Sequence, residues 1–225
     1  MATNVATDRD ISVERESSRD PMAGQTALAR ETATAFAGTI ADPGPLGLAA
    51  FALTTFILSA VNAGWIHKGT EPVVFGLALM YGGIAQLLAG MWEFRKGNTF
   101  GATAFCSYGA FWLSFWAFVQ FYSAKVPKAD AAQAVGIFLL AWGIFTIYMW
   151  VASFRTTAAV NAVFFLLTIT FFLLAFGEFR DASNLTKLGG YFGLITAAGA
   201  WYASMAGVVN STFGKSVMPN PALKR

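Results

Sequence analysis

Residues 42–55 read DPGPLGLAAFALTT, and no ionisable side chain follows until His67. Pro43 and Pro45 fix φ and supply no backbone N–H, so they set where a helix begins rather than interrupt one. The uncharged run behind them has the length needed to cross a ~30 Å hydrocarbon core, which takes roughly 20 helical residues. This stretch is therefore the opening of a transmembrane helix.

The same pattern repeats along the rest of the chain. Of 225 residues, 56% are hydrophobic and 16% aromatic while 12% are charged, a balance outside that of ordinary soluble domains. Uncharged windows fall at about 45–65, 72–92, 103–122, 132–151, 157–177 and 188–209, and none contains Asp, Glu, Lys, Arg or His. Transmembrane β-strands would show alternating segments of about ten residues instead. The expected fold is an all-α integral membrane protein with six transmembrane helices per protomer, over 42–213. Residues 1–41 are polar, with mixed charges and no apolar signal-peptide core, and are expected to form a disordered tail. Residues 214–225 form a short C-terminal tail. With both termini on one side, that side holds Arg30, Arg95, Lys96, Arg155, Lys215, Lys224 and Arg225, against Lys68, Lys125, Lys128, Arg180 and Lys187 opposite. The excess favours cytoplasmic termini. A multi-pass protein with short loops fits a plasma membrane, the bacterial inner membrane in particular.

Several chemistries are disfavoured by what is scarce. His67 is the one histidine and Cys106 the one cysteine, so a chain has neither two axial histidines nor an internal disulfide nor CxxC spacing. No cofactor, no metal and no enzymatic activity are expected. The net charge of +3 is scattered and forms no patch for nucleic acid.

The windows do carry neutral polar residues at helical spacing. Phe51, Thr55, Ser59 and Asn62 fall within about 80° on one face. Gly82, Gln86 and Gly90 recur every fourth residue; Thr103, Ser107 and Ser114 share a face with Tyr108 beside it; Thr157, Asn161 and Thr168 form a further set. Such residues serve as helix-packing contacts or line a pathway. With no carboxylate or cation inside the windows, a lined pathway suits a small, weakly held cargo. The unpaired first N–H groups of the helix behind Pro43 and Pro45 could hold an anion, or simply begin a helix.

DPGPLGLAAFALTT resembles the NPAPLGL signature of the acetate uptake transporter family, also known as the succinate-acetate permeases. The stretches YGGIAQLLAGMWEFRKGNTFGATAFCSYGAFW (81–112) and NSTFGKSVMP (210–219) agree with it. The resemblance implies a six-helix protomer in a homo-hexamer embedded in membrane lipids, each protomer with its own path. It implies transport of acetate and related small carboxylates, in some members succinate, usually with protons, through a hydrophobic constriction falling on Phe51, Tyr108 and Leu167. Together with the polar faces it marks Asp42, Pro43, Pro45, Leu46, Gly47, Leu48, Thr54, Thr55, Asn62, Gln86, Asn98, Thr103, Ser107, Asn161, Thr168 and Ala200 as substrate-binding or pathway-lining. The signature departs at two places, Asp42 for Asn and Gly44 for Ala. Asp42 is expected to cap the helix and to oppose an incoming anion at the same end.

Lacking intramembrane acids, the sequence favours a proton that crosses as part of the undissociated acid. Glu71 and Glu93, at the ends of the second window, are expected to sit at the membrane interface, Glu93 pairing locally with Arg95 or Lys96. Two other readings stay open: a passive channel for small neutral solutes such as urea, and a membrane sensor or scaffold in acetate adaptation.

Overall fold

The computed structural model describes residues 21–37 and 40–223. The chain divides into two compact units at Ala41/Asp42. In the first unit, Pro21–Ala37 forms α1, a departure from the disorder expected for the whole of 1–41. Its sequence PMAGQTALARETATAFA is alanine-rich and starts with proline in the favoured first helical position, which the averaged polarity of the tail concealed. The disorder expected of residues 1–20 and 38–39 falls outside the described residues.

The second unit contains six helical segments long and apolar enough to cross a membrane: Gly44–Asn62, Lys68–Lys96, Thr99–Lys125, Ala131–Ser153, Ala158–Phe179 and Ser183–Phe213. We label Gly44–Asn62 α2. The second segment joins α3 (Pro72–Leu79) to α4 (Gln86–Lys96) through a π-helical turn at Met80–Ala85. The third is α5 (Thr99–Ala117), prolonged by a second π turn at Phe118–Tyr122. The remaining three are α6 (Ala131–Ser153), α7 (Ala158–Phe179) and α8 (Ser183–Phe213).

Local chemistry sets the ends. Gly97 closes α4 at φ 78°, where a side chain would be strained, and Asn98 immediately opens α5 by accepting the Gly101 N–H at 3.1 Å. Helices four and five are thereby joined by a turn of two residues. Helix α4 also carries Glu93, Arg95 and Lys96 beyond the uncharged window that ended at residue 92. Backbone bonding continues past the window, where Arg95 and Lys96 need only reach water at their tips.

Close packing comes from small residues. A Cβ on Gly190 of α8 would lie 2.3 Å from the backbone nitrogen of Ala63, and one on Gly90 of α4 would lie 2.6 Å from that of Cys106. Glycine at these two places is what lets the backbones approach. Outward faces remain apolar: Ile144 is 58% and Ile195 55% exposed, as suits contact with lipid chains rather than water. His67 accepts the Gly69 N–H in a short loop turn, and the Cys106 thiol lies 3.8 Å from the Leu87 carbonyl.

Candidate functional site

Among the cavities of the second unit, two bear on the marked residues. The first, about 370 Å³, is walled by Pro45 and Leu48 of α2, Glu93 and Lys96 of α4, Gly101, Ala104 and Phe105 of α5, and Val160 and Phe164 of α7. The second, about 250 Å³, is walled by Leu58 and Asn62 of α2, Phe115 of α5, Leu139 of α6, and Leu174 and Glu178 of α7. On α2, α5 and α7 alike, the first cavity takes the beginning of the helix and the second the end, so these three run parallel from one cavity to the other.

Each of the three presents one continuous face along that line. On α2 it is Leu48, Phe51, Thr55, Leu58 and Asn62; on α5 Gly101, Ala104, Tyr108, Phe111 and Phe115; on α7 Val160, Phe164, Leu167, Phe171, Leu174 and Glu178. Each set spans about 80° at 100° per residue. Phe51 stands three residues past Leu48 and seven before Leu58; Tyr108 three past Phe105 and seven before Phe115; Leu167 three past Phe164 and seven before Leu174. At 1.5 Å per residue all three lie about 4.5 Å beyond the first cavity and about 10 Å short of the second.

What fills that interval is an aromatic-rich buried core. Phe51, Tyr108 and Leu167 are 6%, 3% and 4% exposed and share one core with Phe111, Phe171 and Ala200. The Phe51 and Tyr108 rings sit 5.8 Å apart with their planes tilted by 58°. Tyr108 also packs on Phe145 at 5.4 Å and Phe164 at 6.0 Å. Its hydroxyl lies 2.9 Å from Thr146 Oγ1, which itself donates to the Trp142 carbonyl at 2.7 Å, so the tyrosine is the donor. That bond orients the ring.

The polar residues marked from the sequence separate into groups. Asp42, Pro45, Leu48 and Asn98 line the first cavity and Asn62 the second. Thr54 and Thr168 are buried and donate to their own helix carbonyls, Ala50 and Phe164. Asn161 donates to Ser153 Oγ at 2.8 Å. Thr55 Oγ1 and Gln86 Oε1 are buried without a hydrogen-bond partner. Pro43 and Gly47 are buried, Gly47 against the Phe105 ring. Leu46, Thr103 and Ser107 line neither cavity; Leu46 points outward at 46% exposure.

At the helix end behind Pro43, two of the first N–H groups the sequence left open are already engaged. Gly44 N–H is taken by Asp42 Oδ1 at 3.0 Å, Pro45 has no N–H, and Gly47 N–H binds the Pro43 carbonyl at 3.1 Å. Asp42 instead forms an ion pair with Lys96 at 2.7 Å, so its charge is balanced rather than left to repel an anion. The Gly44 departure accompanies it: a Cβ there would lie 3.1 Å from Asp42 Oδ1, tighter than ordinary contact.

Glu93 corrects the sequence reading most. It was expected at the interface beside Arg95 or Lys96, yet it is 1% exposed within a membrane-spanning helix, and its Oε2 accepts from Asn98 Nδ2 at 2.8 Å. The uncharged window 72–92 ends one residue short of it and so hides its burial. The mouth of the first cavity was also illegible, because the C-terminal segment returns over it. Asn210 accepts from Val217 and Met218 N–H at 2.7 and 2.8 Å and donates to the Met218 carbonyl, and Asn220 accepts from Ala159 N–H. The motif NSTFGKSVMP is thus a closed turn whose first residue, Asn210, holds Val217 and Met218 near its end, which its sequence spacing alone does not reveal.

Residues 24–224 match the GPR1/FUN34/yaaH family. Accumulation of dyads protein 2 of Saccharomyces cerevisiae is 43% identical over 193 residues, covering 82% of this chain and 68% of that protein. The succinate-acetate/proton symporter SatP of Escherichia coli K12 is 39% identical over 180 residues, covering 80% of this chain and 95% of SatP. Acetate permease A of Emericella nidulans is 41% identical over 194 residues, covering 80% and 65% respectively. A solved structure of the bacterial acetate channel SatP superposes with a TM-score of 0.76 at 39% identity, covering 81% of this chain and all of that one. A multi-pass helical chain with this match along nearly its whole length belongs to the GPR1/FUN34/yaaH family.

Proposed function

We propose that this chain is a membrane transporter of acetate and related short-chain monocarboxylates, with Phe51, Tyr108 and Leu167 as the neck of its path. The observation that carries the reading is the equal depth of these three residues on three parallel helices between two cavities. A path that must discriminate small solutes is narrowed where its apolar side chains meet at one level, and an apolar neck resists water and ions more than a neutral acid. The names of the relatives, a succinate-acetate/proton symporter, an acetate permease and an acetate channel, supply the substrate class. Passage as the undissociated acid suits the neck, since no charge stands on the faces of α2, α5 and α7 between Leu48 and Leu58, Phe105 and Phe115, or Phe164 and Leu174.

In this reading the chain lies in the plasma membrane with both termini in the cytoplasm, so the first cavity faces the cytoplasm. It assembles as a hexamer, each protomer carrying its own path. The test is uptake of labelled acetate into proteoliposomes across a range of pH, with wild type beside Phe51→Ala and Leu167→Ala. Saturable uptake that rises as pH falls and changes in both variants is the expected result. Folded protein with no uptake above empty vesicles at any pH refutes the reading.

A further inference from the structure

Within the first cavity one ionisable group has a fixed geometry that the neck alone does not explain. Glu93 is 1% exposed and lines the cavity, and two neighbours hold it there. Asn98 is pinned by its role at the start of α5, accepting from Gly101 N–H at 3.1 Å and donating its own backbone N–H to the Glu93 carbonyl at 3.0 Å. This leaves its Nδ2 aimed at Glu93 Oε2, 2.8 Å away. Gly101 provides the space: a Cβ there would stand 2.8 Å from Glu93 Cδ and 2.6 Å from Asn98 Nδ2. The other carboxyl oxygen, Oε1, lies toward the beginning of α2, 3.5 Å from where a Cβ on Gly44 would be.

The charged groups facing it are Asp42, from the segment before α2, and Lys96, from its own helix. These two are ion-paired with each other at 2.7 Å. Helix α5 faces it with Asn98 and Gly101, and the remaining polar walls, Thr156, Thr157, Asn210 and Asn220, are neutral. A carboxylate so buried, with a cation nearby already engaged, is held at a cost that a proton relieves. A second carboxylate entering the same cavity sharpens the conflict, because two adjacent carboxyl groups share one proton more readily than both ionise.

We propose that Glu93 is the proton-donating group for the transported monocarboxylate, an inference that rests on the transport reading above. When flux runs outward, acetate enters the first cavity, cytoplasmic in the reading above, as an anion; uptake runs the same steps in reverse. The O–H bond of the Glu93 carboxyl breaks as an O–H bond forms on acetate, leaving Glu93 as carboxylate and acetic acid at the neck. The neutral acid crosses the neck, and Glu93 takes a proton from water at the cavity mouth. One proton moves with each monocarboxylate, and the two carboxyl groups never face each other both charged for long.

The experiment uses the full chain in proteoliposomes, measuring labelled acetate flux from about pH 5 to about pH 8 with empty-vesicle flux subtracted. Wild type, supplied with protons on site, should lose rate with rising pH far more gradually than undissociated acetic acid disappears from solution. Glu93→Gln can pass only acid formed in solution, so its rate, taken relative to its own value near pH 5, should fall roughly tenfold per pH unit above it. Infrared difference spectra between the same pH limits, without acetate, should show a protonated-carboxyl band in wild type that Glu93→Gln lacks. A folded Glu93→Gln variant with the wild-type pH profile, or one inactive at every pH, overturns the proposal, as does a carboxyl band that survives the substitution. Should Glu93→Gln fail to fold, Glu93→Asp decides: its band and its pH profile must shift together, and an unshifted profile overturns the proposal. Wild type without saturable flux refutes the transport reading instead, while the infrared band still reports on Glu93.

Discussion

Asp42→Asn separates the two roles that the first residue of the signature could play. In the structure its carboxylate accepts the Gly44 N–H at 3.0 Å and pairs with Lys96 at 2.7 Å, with 53% of Asp42 and 33% of Lys96 side-chain surface exposed. An ion pair so open to water contributes about 0–1 kcal/mol to stability. Asparagine keeps an oxygen for Gly44, so the variant should fold with a melting temperature close to wild type. Its functional effect should be larger. Losing Asp42 frees the Lys96 ammonium at the cavity mouth, and a unit charge about 4 Å from an anion in water is worth about 1 kcal/mol. At about 1.4 kcal/mol per factor of ten, the apparent KM for acetate should fall roughly fivefold at low ionic strength and less in high salt, where the interaction is screened. The assay is initial-rate uptake in proteoliposomes at two salt concentrations. Lys96→Gln, alone and combined with Asp42→Asn, completes a double-mutant cycle in which the double variant must lose the gain. An unchanged or raised KM in Asp42→Asn, or a gain that persists without Lys96, refutes the reasoning.

Other predictions follow from single contacts. Tyr108→Phe removes the buried hydrogen bond to Thr146 Oγ1 while keeping the ring; thermal denaturation should show a loss of about 1 kcal/mol, and acetate flux should change because the ring loses its orienting tether. Asn210→Ala cuts three hydrogen bonds to Val217 and Met218, so amide exchange at 217–223 should accelerate while exchange in α6 stays at the wild-type rate. Gly190→Ala places a Cβ 2.3 Å from the Ala63 nitrogen, backbone that cannot swing aside, whereas Gly76→Ala meets nothing within 4 Å. Detergent-solubilised Gly190→Ala should therefore yield little monodisperse protein and Gly76→Ala as much as wild type; equal yields would contradict the packing described for α2 and α8.

The six spans were legible because a bilayer imposes a single strong rule, that backbone polar groups be satisfied within a helix about twenty residues long. DPGPLGL marked the start of α2, and Asn98 and Gly97 sit where a helix start and stop belong. Phe51, Tyr108 and Leu167 were reached through family resemblance rather than through any local signal, since their equal depth depends on the stagger of three helices far apart in sequence. Glu93 was placed wrongly for an instructive reason. Hydropathy averages over a window and so treats a carboxyl group just past its edge as interfacial, whereas burial depends on what packs above it, here Asn98 and Gly101 from the next helix. Asp42 and Lys96 are 54 residues apart and meet only because α4 returns beside the start of α2.

By itself, then, the sequence determined the solvent of this protein, the number of its spans and the family of its motifs, because hydrophobic length, proline position and motif spacing act locally along the chain. The tertiary structure alone decided which polar groups reach a cavity, which spend themselves on their own helix, and which carboxyl group is buried. Those outcomes are set by the angle and stagger at which helices pack, and by glycines whose missing side chains admit a neighbour.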